Sequence, residues 1–196
     1  MKKAILVAAI TMTAHVVFSQ SLLNRLHVGI KGGANYSNFK NANFETEGLA
    51  GYHGGLIVNF KLTDKWSIQE EFLYSTQGAK IKNGINLTDQ NLKLSYLSVP
   101  LVIKYHSNIG LYGELGGQAN ILVKDAKNTG FKDFADKIDA GAVAGFGYQF
   151  KNGPVKGLGI GARYYYGLTK VGKFTSSTIN PDFKNNMVQA SIFYIF

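Results

Sequence analysis

From residue 26 onward, apolar and polar residues alternate at period two through eight short runs. This pattern belongs to β-strands with one face in an apolar medium and the other in a polar one. The runs predict strands over 26–38, 52–62, 66–77, 94–105, 110–121, 137–150, 157–168 and 186–196. One face collects Leu26, Val28, Ile30, Leu56, Val58, Phe72, Leu101, Ile103, Leu115, Phe146, Ile160 and Ile192, and the other collects nearly all the strand charges. No segment offers a globular core, and no run of about 20 apolar residues exists that could cross a bilayer as a helix. In hydrocarbon only a closed barrel satisfies every strand N–H and C=O. The expected fold is therefore all-β, an eight-stranded antiparallel up-and-down transmembrane β-barrel with its apolar face outward.

The connections point the same way. Short links follow strands two, four and six (63–65, 106–109, 151–156), and longer ones follow strands one, three, five and seven. Outer-membrane barrels show this alternation, with short periplasmic turns and long extracellular loops, so both termini are expected in the periplasm. A soluble eight-stranded barrel is the alternative, but it would turn the apolar face inward and leave the charged one outside. Aromatics gather at the run ends: Phe60, Trp66, Tyr105, Phe150, Tyr194 and Phe196 on the periplasmic side, and Tyr36, Tyr52, Tyr74 and Tyr166 on the outer side. They read as two interfacial girdles. Glu70 breaks the rule by falling on the lipid face. Either a bulge shifts the register there, or the residue lies near enough to the interface to reach water.

The first 19 residues form a signal peptide in this reading: Lys2 and Lys3, an apolar run from Ala4 to Phe18, and a small Ser19 before Gln20. Residues 20–196 then make the barrel domain, exported to the bacterial outer membrane. Loss of Lys2 and Lys3 lowers the formal charge from +9 to about +7. The remaining charges are dispersed, without the basic stripe that nucleic-acid binding requires. There is no cysteine, which excludes lipid acylation at a leader cysteine, disulfides and thiolate-ligated metal. Twenty-three glycines, 11 tyrosines and 13 phenylalanines, with mean hydropathy close to zero, suit a barrel whose two faces differ.

The inward face holds the only constellation of chemical interest: Lys31, Lys61, Lys104 and Arg163 against Glu71, Glu114 and Asp139. An eight-stranded barrel is filled by its own side chains, so these groups are expected to pair into a structural polar network. Gly145, Gly147, Gly159 and Gly161 are expected to leave room for Arg163 to cross toward Glu71 or Glu114. A gated ion path is the alternative for this cluster. His53 is expected near the outer rim, while His27 and His106 lie near periplasmic ends. No catalytic triad is readable around His53, and no catalytic, cofactor or metal site is expected. Asp133 and Asp136 lie beside Lys132 and Lys137 and read as solvated loop charges rather than a Ca²⁺ site.

The segments SIQEEFLYSTQGAK (67–80), YLSVPLVIKY (96–105), DAGAVAGFGY (139–148) and GARYYYGL (161–168) resemble the PorT-type outer-membrane β-barrel family common in Bacteroidetes-type bacteria. The resemblance covers essentially all of 20–196 and is carried best by Glu71, Tyr74 and Gly78 and by Pro100 and Lys104. Glu70 departs from it, since an uncharged residue is expected there. The resemblance implies the fold and the membrane; the founding kind is linked to protein secretion across the outer membrane.

The expected role is non-enzymatic: binding or structure exerted through the extracellular loops, by a monomer whose lumen is filled. An accessory role in a protein-secretion apparatus and a narrow pore are the alternatives. Expected partners are outer-membrane lipid, a protein at the outer loops or periplasmic turns, and the barrel-assembly machinery. Ile192, Tyr194 and Phe196, on one face of the last run, form the expected assembly signal. Phe196→Ser should therefore reduce the yield of heat-modifiable folded barrel in membranes; an unchanged yield on a gel-shift assay would remove this role.

Overall fold

The computed structural model describes residues 24–41, 45–81, 90–126, 135–172 and 182–196. The expected signal peptide and Asp133 fall outside the described residues. Eight strands follow one another: β1 (Leu26–Lys40), β2 (Thr46–Lys61), β3 (Trp66–Ile81), β4 (Gln90–His106), β5 (Leu111–Lys124), β6 (Ile138–Gln149), β7 (Leu158–Gly167) and β8 (Lys184–Ile195). Each pairs antiparallel with its neighbours, and β1 with β8, in one closed barrel. The seam runs from Gly29↔Ile195 to Lys40↔Lys184, so no edge is left unpaired.

The faces are those the alternation predicts. Val28, Ile30, Leu56, Leu101, Ile103, Leu115, Phe146, Ile160 and Ile192 stand exposed on the outer wall, while the intervening positions are buried. At the short-turn end Trp66 and Tyr105 pack edge to face at 5.0 Å, as do Tyr194 and Phe196 at 5.1 Å; Tyr52 and Tyr74 lie 6.3 Å apart near the other end. Aromatic rings thus sit where water meets hydrocarbon at both rims.

The strands run further at the outer end than the alternation indicates. β2 begins at Thr46 rather than 52, and β3 and β4 extend to Ile81 and Gln90. Beyond the hydrocarbon band both faces meet water or loop, so hydrophobic periodicity fades while backbone pairing continues. The first outer link, expected to be long, accordingly shrinks to 41–45. Two bulges adjust the wall. One lies between Gly48 and His53 of β2 opposite β3, where the Thr76 hydroxyl accepts from the Tyr52 N–H at 2.9 Å, and the other lies at Ser95/Tyr96 opposite β5. Neither is at Glu70. There the register is unbroken, with Val58 on one side and Leu101 on the other, so a shifted register does not account for Glu70.

Inside, apolar packing occurs as separate clusters. Toward the outer end Phe39, Leu92, Leu94, Tyr96, Ala135, Val171 and Phe183 form a cap, with the Phe39 and Phe183 rings 4.5 Å apart. Val102, Val143, Tyr165 and Met187 form a second cluster. Toward the periplasmic end Ile57, Tyr112 and Phe193 form a collar, with Tyr112 and Phe193 packed edge to face at 5.8 Å.

The glycines of β6 and β7 serve this collar more than they serve Arg163. A Cβ at Gly161 or Gly147 would overlap the Tyr112 hydroxyl, and one at Gly159 would overlap the Phe193 ring; only Gly145 faces the charged region, against the Glu114 side chain. The expectation that all four make room for Arg163 is therefore corrected: two aromatic rings are bulkier than one guanidinium stem and claim the space. Gly161→Ala should overpack the collar and cost about 1 to 3 kcal/mol. Tyr112→Phe removes the atom in conflict and should restore most of the loss in the double variant, as read by urea unfolding in lipid vesicles. No recovery would place the strain elsewhere.

Candidate functional site

Five strands each aim a charged side chain into the middle of the lumen: β1 gives Lys31, β3 Glu71, β4 Lys104, β5 Glu114 and β7 Arg163. The parity of the strands places them there, because each sits at an inward position. Glu71 has no exposed surface and is the acceptor on which the others converge. Arg163 Nη1 and Nη2 each donate to it at 2.8 Å in a bidentate fork, Lys31 Nζ donates at 3.0 and 3.1 Å, and Gln69 Nε2 donates at 2.6 Å. Arg163 Nε also donates to Glu114 Oε1 at 2.6 Å, so its guanidinium bridges both acids. Lys104 Nζ lies 3.4 Å from Glu114 Oε2, donates to Gln69 Oε1 at 3.3 Å and stands 3.9 Å from the centre of the Tyr112 ring. Three cations and two carboxylates are thereby interlocked across the lumen.

Two expected members do not join. Lys61 holds the inward parity but is exposed at the periplasmic rim, where a cavity of about 590 Å³ opens among His27, Asn59, Lys61, Ser67 and His106. Beyond the collar water is available, and a lysine at the strand end needs no partner. Asp139 is buried, but six residues above the level of Glu114 along the β5–β6 ladder. Its carboxylate accepts from Asn120 Nδ2 and Thr169 Oγ1, both at 3.1 Å, and among the described residues no cation pairs with it. Neutral donors satisfy it.

His53 is also placed differently. It is buried in the lumen rather than near the outer rim. Asn35 gives its amide hydrogens to Ser75 Oγ at 2.9 Å and Thr76 O at 3.1 Å, which turns Oδ1 toward His53 Nδ1 at 2.5 Å. The imidazole therefore carries its proton on Nδ1, and Nε2 accepts from Ser191 Oγ at 2.9 Å. A serine, a histidine and an orienting amide stand in the order used for nucleophilic catalysis. Yet none of the three lines the periplasmic cavity, and Ser191 is only 8% exposed. The chain of bonds ties β8 to β1 and β2, and Gln189 Nε2 adds a further bond to Asn35 Oδ1 at 3.3 Å.

Several participants were not foreseen: Gln69 in the belt, the Tyr112–Phe193 collar, the Ser191–His53–Asn35 chain and the outer cap. The cap was the most legible. Leu92, Leu94 and Tyr96 continue the inward parity of Ser98, and apolar residues at inward positions signal a plugged mouth. Ile192, Tyr194 and Phe196, the residues expected to form an assembly signal, are exposed on the outer wall beside β1, and the Phe196 N–H donates to Val28 O at 2.8 Å. Among the described residues no group of three His, Cys, Asp or Glu is placed to hold a metal, and Asp136 is an exposed loop residue.

Unequal sharing within the belt has a measurable consequence. Glu71 compensates two cations at once, so Glu71→Gln should lower the unfolding free energy by about 3 to 5 kcal/mol, the scale for stripping a buried charge of its partner. Glu114→Gln should cost less, because Glu114 holds Arg163 by one hydrogen bond and Lys104 only at 3.4 Å, whereas Glu71 takes the bidentate fork and both Lys31 contacts. In denaturant titrations, Arg163→Met combined with Glu71→Gln should fall well short of additivity, and the coupling should exceed that of Arg163→Met with Glu114→Gln. Strict additivity for both pairs would contradict the bridging geometry.

A search of curated proteins finds no match. Among solved structures, the chain resembles the outer membrane protein OprG of Pseudomonas aeruginosa, with TM-score 0.53 and 17% identity over 87% of this chain and 95% of that one. It also resembles Neisserial surface protein A, with TM-score 0.50 and 14% identity over 86% and 97%. The attachment invasion locus protein Ail of Yersinia pestis aligns at 20% identity with TM-score 0.48, over 88% of this chain and 99% of that one. Identities this low speak for the fold alone. Residues 18–172 match the family model described as outer membrane protein beta-barrel domain. With that match over most of its length, an apolar outer wall and a closed eight-stranded sheet, the chain belongs to the outer membrane protein β-barrel domain family and resides in the bacterial outer membrane.

Proposed function

We propose that this protein is a closed, non-conducting, non-enzymatic barrel that acts in binding or structure through its extracellular side. One observation carries the reading: the lumen is crossed by a belt in which every charged group is buried and engaged, with Glu71 and Arg163 at its centre. The apolar cap covers the belt on the outer side and the aromatic collar lies on the periplasmic side. A barrel of this size has no lumen to spare for solute once such layers fill it. What remains for interaction is the outer ends of the strands, their links and the wall itself. The resemblance of 67–80 and 96–105 to PorT-type barrels supports the narrower reading of an accessory to protein secretion. It would require a partner at the outer links or periplasmic turns.

Planar-bilayer recordings test the closed lumen. The wild-type barrel should give no stable channel, and neither Lys61 nor Asp139 variants should open one, because both lie off the belt. A reproducible conductance in the wild type that changes with Arg163→Ala or Glu71→Ala would establish the narrow pore instead.

A further inference from the structure

Glu70 is the one charged residue on the outer wall between the aromatic rims, among the described residues. Its place is fixed by a register that does not shift on either side, with Val58 of β2 and Leu101 of β4 as its partners. Along β3 it stands four residues from Trp66 at the periplasmic rim and four from Tyr74 at the outer rim. At about 3.3 Å per residue and a tilt near 45°, it lies roughly 9 Å inside each girdle, near the middle of the hydrocarbon band. It makes no hydrogen bond or ion pair among the described residues. Its wall neighbours Ile68, Phe72, Leu56, Leu101 and Ile103 are all apolar.

A carboxyl group at this depth, facing lipid, is unfavourable unless something there answers it, and side chains of this kind in membranes mark functional contacts. The lumen cannot answer, since Glu70 points away from it. Lys93, also on the outer wall, lies beyond the outer rim, where its ammonium stands 5.3 Å from the Tyr52 ring. A second copy of this chain would present no described lipid-facing cation at mid-depth. We propose that the β2–β3–β4 wall centred on Glu70 is a membrane-embedded docking surface for a different transmembrane protein, one that presents a lysine or arginine at mid-membrane depth. The bulky Phe72, Leu101 and Ile103 supply the apolar surround that shields such an ion pair from lipid and fixes its register. The opposite wall, where Gly32, Ala34, Ala162 and Ala190 face lipid, carries no charge to recognise.

The test uses the full protein in its native outer membrane, with a photoreactive residue in place of Leu101 and a control in place of Ile160. The Leu101 probe should give a discrete adduct with another membrane protein, and the Ile160 probe should not. Glu70→Leu, Glu70→Gln and Glu70→Lys should each lower that adduct by about tenfold, as loss of an ion pair shielded from water implies. Reversing the charge of the partner's cross-linked cation should restore the adduct with Glu70→Lys. The purified Glu70→Leu barrel should unfold in lipid vesicles no more readily than wild type, which separates lost docking from lost folding. An adduct of two copies of this chain, an adduct indifferent to Glu70→Leu, a failure of charge reversal to restore it, or no adduct from a folded barrel would each overturn the proposal.

Discussion

The carboxylate of Glu71, sealed in the lumen, is the group on which the rest of the interior depends. Two cations reach it, one from β1 two strands away and one from β7 across the barrel, and Gln69 supplies a further donor from its own strand. These side chains cannot be shortened or exchanged without leaving a charge buried and unanswered, and that penalty is larger than the net worth of any one pair. The belt therefore sets the register of the wall more than it adds stability. A slip of one residue in any contributing strand would turn a charge to lipid and an apolar side chain into the belt. The collar below and the cap above exclude water from this region, which strengthens each interaction inside it.

Most of the architecture could be read from the alternation, because the bilayer imposes a single rule along every strand. It was legible from Leu56, Leu101 and Ile160 on one side and Glu71, Lys104 and Arg163 on the other. What eluded the alternation is what depends on height and on neighbours across the barrel. Period two says that Lys61 and Asp139 point inward; it does not say that one stands in the wet vestibule and the other several rungs above the belt. His53 was likewise assigned to the rim because strand lengths were judged from hydrophobicity, and β2 runs six residues past the point where hydrophobicity gives out. The glycines were read as space for an arginine, whereas the rings of Tyr112 and Phe193 occupy most of that space.

Polar side chains carry much of the packing that a soluble protein assigns to hydrocarbon. Asn35, Ser75, Gln77, Ser98 and Asn120 form a run of side-chain hydrogen bonds that reaches from β1 through β3 and β4 to β5. Such a core is directional. It rewards one arrangement of neighbours and penalises near misses, where an apolar core would tolerate repacking. The outer wall, by contrast, needs only to be apolar and wide enough, and its one departure at Glu70 stands out for that reason.

The pairing of β1 with β8 has a consequence for the life of the chain before it reaches the membrane. β8, which closes the sheet, emerges from synthesis some 150 residues after its partner β1. Until it arrives, β1 and every strand added to it present an open edge and an apolar face in water. No intermediate length of this chain has a satisfied sheet, so export must deliver the whole of it unfolded, under the protection of carriers that hold apolar strands apart. A ribosome that stops short of β8 produces a segment with an edge and no partner, marked for proteolysis by the same backbone groups that close the complete barrel.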